Sequence, residues 1–428
     1  MDQLSPDNAG HGGYRRLLAL PVPRRLALAS IPADFADWLD YAAIIALLVF
    51  AWGEGPFVLA LFALALTLPY IVVGPLLAVV VDRTPLRRIL VLSNLGRGLT
   101  TLALIFAPNT ALVLLIVFAR ACIDSAFTPA RQAAIQASTP PELLGSANGL
   151  HQAINQTSKI AGPALGGLLL AFIPAQAVFG INALLSLLGA MICLGMILPP
   201  KPKTSQHAGL LAEAAAGISE FRRSRRLLAA LIFSAFAYFS FFLYDALIAL
   251  LAQEFGLDAT AFGISIAASG GGGLLGAFWA GKLAGSHPMQ TMIAAAAFSG
   301  SVTVFIATGA LIGIAVPALP FYLVLALMGG ATAFMLVPYR TIVQSETPPD
   351  RIARVFATGE AVITAVMLSA PFIGSFIAST WGTAMAFLCG GVMLVTLGLV
   401  GAMMRIITPS LPPANLPKPP ARDKTATR

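Results

Sequence analysis

A chain of 428 residues that is 58% hydrophobic and only 10% charged is not a water-soluble globule, because such domains carry about a quarter charged residues. Its formal charge of +8 would suit a nucleic-acid partner, but a mean hydropathy of +0.85 points to lipid. Cys122, Cys193 and Cys389 stand apart in apolar segments, which excludes a disulfide framework and a cysteine metal site.

The polar start, MDQLSPDNAGHGGYRRLL, lacks the pattern of a cleavable signal peptide. Beyond it, Gly, Pro and charge clusters mark off twelve apolar runs, at 30–52, 56–81, 87–107, 110–136, 145–172, 176–199, 226–251, 259–284, 288–312, 317–343, 352–378 and 382–406. Crossing a bilayer as a helix takes roughly 20 such residues. Continuous runs such as FVLALFALALTLPYIVV predict helices and exclude the alternating pattern of a membrane barrel.

The first run carries Asp34, Asp37 and Asp40, three residues apart and so near one helix face. A charge at the centre of a membrane helix costs about 2.5–3.5 kcal/mol, so these acids need partners or a function. Asp82, Arg83, Arg87 and Arg88 form the link between runs two and three, and Arg97 lies inside run three. Run four holds Arg120 with Asp124 one turn on. An acid near an arginine in a closed site gains and loses a proton as its surroundings change. Asp37, Asp40, Arg120 and Asp124 are therefore the candidates for proton coupling, with either helix 1 acid as the titrating group. A structural Asp–Arg pair is the competing reading.

Run five contains Lys159, which has two options, a helix 1 acid or an anionic substrate. It also contains Gly162, Pro163, Gly166 and Gly167, as do Gly270–Gly273 and Gly276 in run eight; such glycines permit close helix approach. The segment 209–226 is predicted as an amphipathic helix on the membrane surface. Tyr238, Phe242 and Tyr244 belong to an aromatic face in run seven, and Glu360 is a buried acid in run eleven. With Lys159 they are the candidate lining of a substrate cavity, against the alternative that the aromatic face packs on its neighbours. Asp245 follows Asp37 by 208 residues, but it falls at the opposite end of its run, so the two are not read as equivalent.

Lys and Arg cluster before run one, after runs two, four, six, eight and ten, and in the tail, while the alternate connections have neither. The positive-inside rule then puts both termini in the cytoplasm and explains the net charge as a topology and lipid signal. No nucleic-acid partner is expected. Gln136, Thr139, Pro140, Pro141 and Glu142 recur as Gln344, Thr347, Pro348, Pro349 and Asp350 at an offset of 208, and Pro129 and Arg131 recur as Pro338 and Arg340 at 209, one gap apart. A polar phrase repeated in register implies duplicated halves. The predicted fold is an all-α membrane protein of twelve transmembrane helices in two pseudo-symmetric six-helix halves. Its parts are an N-terminal cytoplasmic tail (1–29), a first half (30–199), a cytoplasmic linker with an amphipathic helix (200–225), a second half (226–408) and a C-terminal tail (409–428). Duplicated halves of this kind rock about a central site in secondary transporters.

GPLLAVVVDRTPLRR at 74–88 resembles the loop motif of the major facilitator superfamily, with Asp82 at its acid and Arg83, Arg87 and Arg88 at its basic positions. Ala78 stands where that motif has a glycine, and Thr84-Pro85-Leu86 where Gly-Arg is common. GPALGG resembles the exporters' Gly-Pro motif, and ADWLDYAAIIALLVFAWG, FTPARQAAIQ and SANGLHQAINQTSKIAGPALGG resemble the branch holding macrolide efflux proteins and the enterobactin exporter. The resemblance implies that Asp82 and its arginines form a gate and that Arg120 is the family's helix 4 arginine. It also implies a monomeric transporter of the bacterial inner membrane exporting a small amphipathic molecule, a drug or siderophore, against protons. Lipid is the surrounding partner. A lysophospholipid flippase and a non-transporting sensor or scaffold are the alternatives. The sequence has no Walker loop, histidine pair at metal spacing or catalytic triad, so no enzyme activity, cofactor or metal is expected.

Overall fold

The computed structural model describes residues 6–198, 218–283, 287–347 and 351–407, all of them helical or in short connections. The helices in chain order are α1 (Pro6–Ala19), α2 (Pro21–Trp38), α3 (Tyr41–Ala46), α4 (Pro56–Arg83), α5 (Leu86–Leu104), α6 (Thr110–Ser138), α7 (Leu144–Leu169) and α8 (Ala175–Leu194). The second series is α9 (Arg225–Phe242), α10 (Ile248–Glu254), α11 (Ala259–Leu283), α12 (Pro288–Leu311), α13 (Ala318–Glu346), α14 (Ile352–Trp381) and α15 (Thr383–Ile407). The first half of the amphipathic segment expected at 209–226 lies outside the described residues. Its end is helical at 218–223 and docks on the second half, with Phe221 buried and Glu220 bridging to Arg351 at 3.0 Å.

Nine helices among the described residues are long and apolar enough to cross a membrane. The remaining three expected runs are helical but differ in character. Run one is broken: α2 ends at Trp38, α3 follows from Tyr41, and a π-helical turn spans Leu47–Ala51. Run three, α5, carries Arg87, Arg88 and Arg97, and run five, α7, opens on the polar series Asn148, His151, Gln152, Asn155, Gln156 and Lys159. The first membrane helix also begins at Pro21, where a proline in the first turn starts it, and not near 30. Asp37 therefore sits about 24 Å along a continuous helix, deeper than a start near 30 implies.

The two series pack alike. In the first, α5 lies on α8 and α6, α4 on α6, and α2 on α7 and α8; in the second, α12 lies on α15 and α13, α11 on α13, and α9 on α14 and α15. Corresponding glycines act at corresponding breaks. A Cβ on Gly166 would lie 1.7 Å from the Leu39 carbonyl oxygen, and one on Gly374 would lie 1.7 Å from that of Leu243. Leu39 and Leu243 are the residues at which helices α2 and α9 stop. Gly166 of GPALGG and Gly374 of the matching APFIGS (370–375) thus each seat one interrupted helix.

Between the halves, α7 packs on α11 and α4 on α14. Gly167 and Gly263 meet backbone to backbone, as a Cβ on either would fall within 2.4 Å of the other's carbonyl oxygen. The buried apolar side chains form three groups. One, at the end far from the chain termini, joins both halves, with Leu48, Phe62 and Phe179 beside Tyr244, Phe262 and Phe387. At the end that bears the termini there are two, one around Leu26, Leu90 and Phe127 in the first half and one around Leu227, Tyr339 and Val343 in the second. The halves share a core at the far end and keep separate cores at the other.

Candidate functional site

The three acids of the broken first helix each find a different arginine. Asp34 and Arg131 of α6 are 2.5 Å apart. Asp37 bonds to Arg97 of α5, and Asp40 to Arg120 of α6. Helix geometry explains the ladder. The acids recur every three residues, and Arg120 and Arg131, eleven apart, lie about three turns apart on one face of α6. Because α2 and α6 run in opposite directions, the outer acid takes the earlier arginine. Asp40 ends the interruption before α3, yet its carboxylate caps no backbone N–H and serves Arg120 instead.

Arg97 is the hub. Its guanidinium holds Asp37, lies 2.7 Å from Asp124 through Nε, and donates to the Ala33 carbonyl at 2.5 Å. Phe127 stacks beneath both Arg97 and Arg131, with each guanidinium carbon 5.2 Å from its ring centre. The i+4 pair of Arg120 with Asp124 is thus replaced: Arg120 goes to Asp40 and to Thr101 at 3.3 Å, while Asp124 goes to Arg97. Asp40 is sealed at 0% exposure, whereas the Asp37 side chain keeps 22%. Four carboxylates share three arginines, and all seven groups belong to the first half.

The other expected residues are placed as follows. Lys159 is exposed on α7, nearest in charge to Glu360 and Arg340 across the interface, while each helix 1 acid is paired with an arginine. Glu360, expected to be buried, is exposed, with Arg340 3.8 Å away, and with its side-chain amide oriented to accept, Gln156 receives two bonds from Arg340 at 2.7 and 3.1 Å. Tyr238 stacks on Phe242 with ring centres 6.3 Å apart. Tyr244 is different: it is fully buried against Phe387 and bonded to Thr303, so in this conformation it belongs to the far-end core and lines no open cavity. Gly162 packs on Trp38, and Pro163 sits within an uninterrupted α7. Arg83, Arg87 and Arg88 are exposed, with Arg87 donating to the Leu194 carbonyl at the end of α8 in its own half. The side chain of Asp82 lies outside those described.

Sequence reasoning treated Arg131 as a topology signal and Asp245 as incidental, and both have partners in the structure. The eleven-residue spacing on α6 is the signal that points to Arg131. Asp245 accepts a hydrogen bond from the Tyr41 hydroxyl, 3.3 Å away in the other half.

A bundle of two matching helical halves, joined at one end and carrying buried charge, is the build of a membrane transporter. The Major Facilitator Superfamily model matches residues 26–358. The chain belongs to that superfamily. It is 27% identical over 380 residues to the uncharacterized MFS-type transporter YfiS of Bacillus subtilis, covering 86% of this chain and 89% of that protein. It is 25% identical over 363 residues to macrolide efflux protein A of Streptococcus pyogenes, covering 82% and 88%. A crystal structure of a bacterial homologue of the human lysosomal transporter Spinster matches with a TM-score of 0.64 at 16% identity, over 90% of this chain and 95% of that one. The all-helical build of two matching halves expected from the sequence repeat is the one observed, with nine helices among the described residues long and apolar enough to cross a membrane.

Proposed function

We propose that this transporter is a secondary exporter of the bacterial inner membrane. It has twelve spans and cytoplasmic termini, and it exchanges a small amphipathic molecule for protons by alternating access. The observation that carries the reading is the arrangement of cores: shared at the far end, separate at the end bearing the termini. Such a molecule opens to one side by parting the halves there and to the other by parting the shared core. Substrate enters between the halves from the terminus-bearing end, past Gln156, Lys159, Arg340 and Glu360, with the Tyr238–Phe242 stack offering an apolar wall. Protons exchange at the arginine ladder, where Arg97 serves both Asp37 and Asp124. Asp37, the most exposed of the helix 1 acids in these pairs, is the first acid to test. Asp82 with its arginines controls closure at the terminus-bearing end, and the molecule acts as a monomer without cofactor, metal or catalytic chemistry.

Everted vesicles loaded by an imposed pH difference test this directly, with a macrolide as the first probe because the chain is similar to a macrolide efflux protein. Probe uptake with matching proton release is the expected result, lost in Asp37→Asn and slowed in Asp82→Asn with normal expression. Transport at the wild-type rate in Asp82→Asn removes that residue from the mechanism. A lipid-moving function is the second reading. It is favoured by an apolar groove of about 440 Å³ lined by Ile31, Phe35, Leu165, Leu169, Ile181 and Leu185. That groove lies on one half and not between the two, so lipid transfer without proton release is required to prefer it.

A further inference from the structure

We infer that Asp245 is a proton-binding site whose occupancy holds the far end of the transporter closed; this rests on the alternating-access reading. Asp245 opens the short 3₁₀ turn Asp245–Leu247 that follows the break at the end of α9. Tyr41 opens α3 after the matching break in the first half. The breaks are equivalent, since each presents its carbonyl, of Leu39 or Leu243, to the corresponding glycine, Gly166 or Gly374. Tyr41 and Asp245 follow these carbonyls by the same two residues, so their 3.3 Å hydrogen bond joins equivalent points of the two halves across the closed end.

The surroundings are apolar. The turn is flanked by α4, α9, α10 and α14. The portion of α4 at this end reads PFVLALFALALTLP and has no charge; the acid of α10 is Glu254 at its last residue, and that of α14 is Glu360 in its cytoplasmic third. The neighbouring Tyr244 hydroxyl is engaged with Thr303. Among the described residues no lysine, arginine or histidine forms an ion pair with Asp245. Asp245 is partly buried, and a carboxylate that loses part of its hydration without gaining a counter-charge is disfavoured, whereas a protonated carboxyl beside a tyrosine hydroxyl is tolerated.

The contrast with the ladder sets the role. Asp34, Asp37, Asp40 and Asp124 pair with arginines of their own half, so parting the far end does not itself break these pairs, and proton exchange at the ladder is a separate event from closure of the far end. The environment of Asp245 must change, because its partner belongs to the other half. Parting the far end admits water, and a solvated aspartate ionises far below neutral pH. A proton arriving from outside therefore closes this end, and its loss releases it.

The full-length protein in nanodiscs tests the assignment. With Cys122, Cys193 and Cys389 replaced by Ser, spin labels at Pro108→Cys and Ile314→Cys report the separation of the far ends. Wild type should lengthen as pH is raised, Tyr41→Phe should still respond, and Asp245→Asn should remain short at every pH. Unaltered pH-dependent opening in Asp245→Asn overturns the proton site while leaving alternating access intact. A wild-type far end that opens at no pH overturns both. Should Asp245→Asn not fold, Asp245→Glu must show a pH response with a displaced midpoint, and a folded Glu variant that responds as wild type does counts against the assignment.

Discussion

Asp34 illustrates how far a single residue was legible. Its place on a charged helix face followed from spacing, but its partner, Arg131, is 97 residues away. Pairing across helices depends on which helices become neighbours and in which direction they run, and local pattern holds neither. Removing one member of a buried pair strands the other, at a cost of about 3–5 kcal/mol, while removing both relieves most of it. Asp34→Ala should accordingly lower thermal stability in detergent strongly, and Asp34→Ala with Arg131→Ala should recover a large part; a double variant as unstable as the sum of the single ones would show that the groups are not coupled. The glycines offer a sharper test. Gly166→Ala and Gly374→Ala put a methyl 1.7 Å from a carbonyl oxygen of a neighbouring helix, whereas a Cβ at Gly180 or Gly309 meets nothing within 4 Å. Folded yield, read by fluorescence-detected gel filtration, should collapse for the first two and hold for Gly180→Ala and Gly309→Ala.

At the level of elements, apolar runs located the helices because lipid-facing positions must be apolar over a whole crossing. They failed to show that run one is interrupted. The sequence ADWLDYAAIIA has no glycine or proline at the break, which is set by the packing of Leu39 on α7. The polar face of α7 also hides a long helix from a composition measure. The α7–α11 seam makes a mechanical prediction. Gly263→Leu forces a side chain into the backbone of Gly167 and should wedge the far end apart. A cysteine at 108 should then react faster with an impermeant thiol reagent from outside than it does in the parent, and an unchanged or slower rate would show that this seam does not hold the far end shut.

For the whole molecule, the repeat of a polar phrase was enough to foresee two halves, since matching polar letters survive where apolar ones interchange. Which end of those halves is parted was not readable, because that depends on contacts between the two copies. The closed end is built from Leu, Phe and Ala, with nothing in their order to mark them as a seam. A cysteine at 206 should stay unreactive to the impermeant reagent in intact cells while one at 314 reacts; the reverse would invert the membrane orientation and with it the direction of export.

The charge ladder carries a consequence for biogenesis. Every buried arginine of the first half finds its carboxylate in helices made before residue 199, so the ribosome can release a self-satisfied bundle into the membrane while the rest is still being synthesised. Severing the gene within 200–217 should therefore be tolerated. The N-terminal fragment should persist in the membrane when expressed alone, and co-expression with its counterpart should return a complex that co-purifies and exports. Rapid proteolysis of the lone fragment would show that its charges are not settled until the second half arrives.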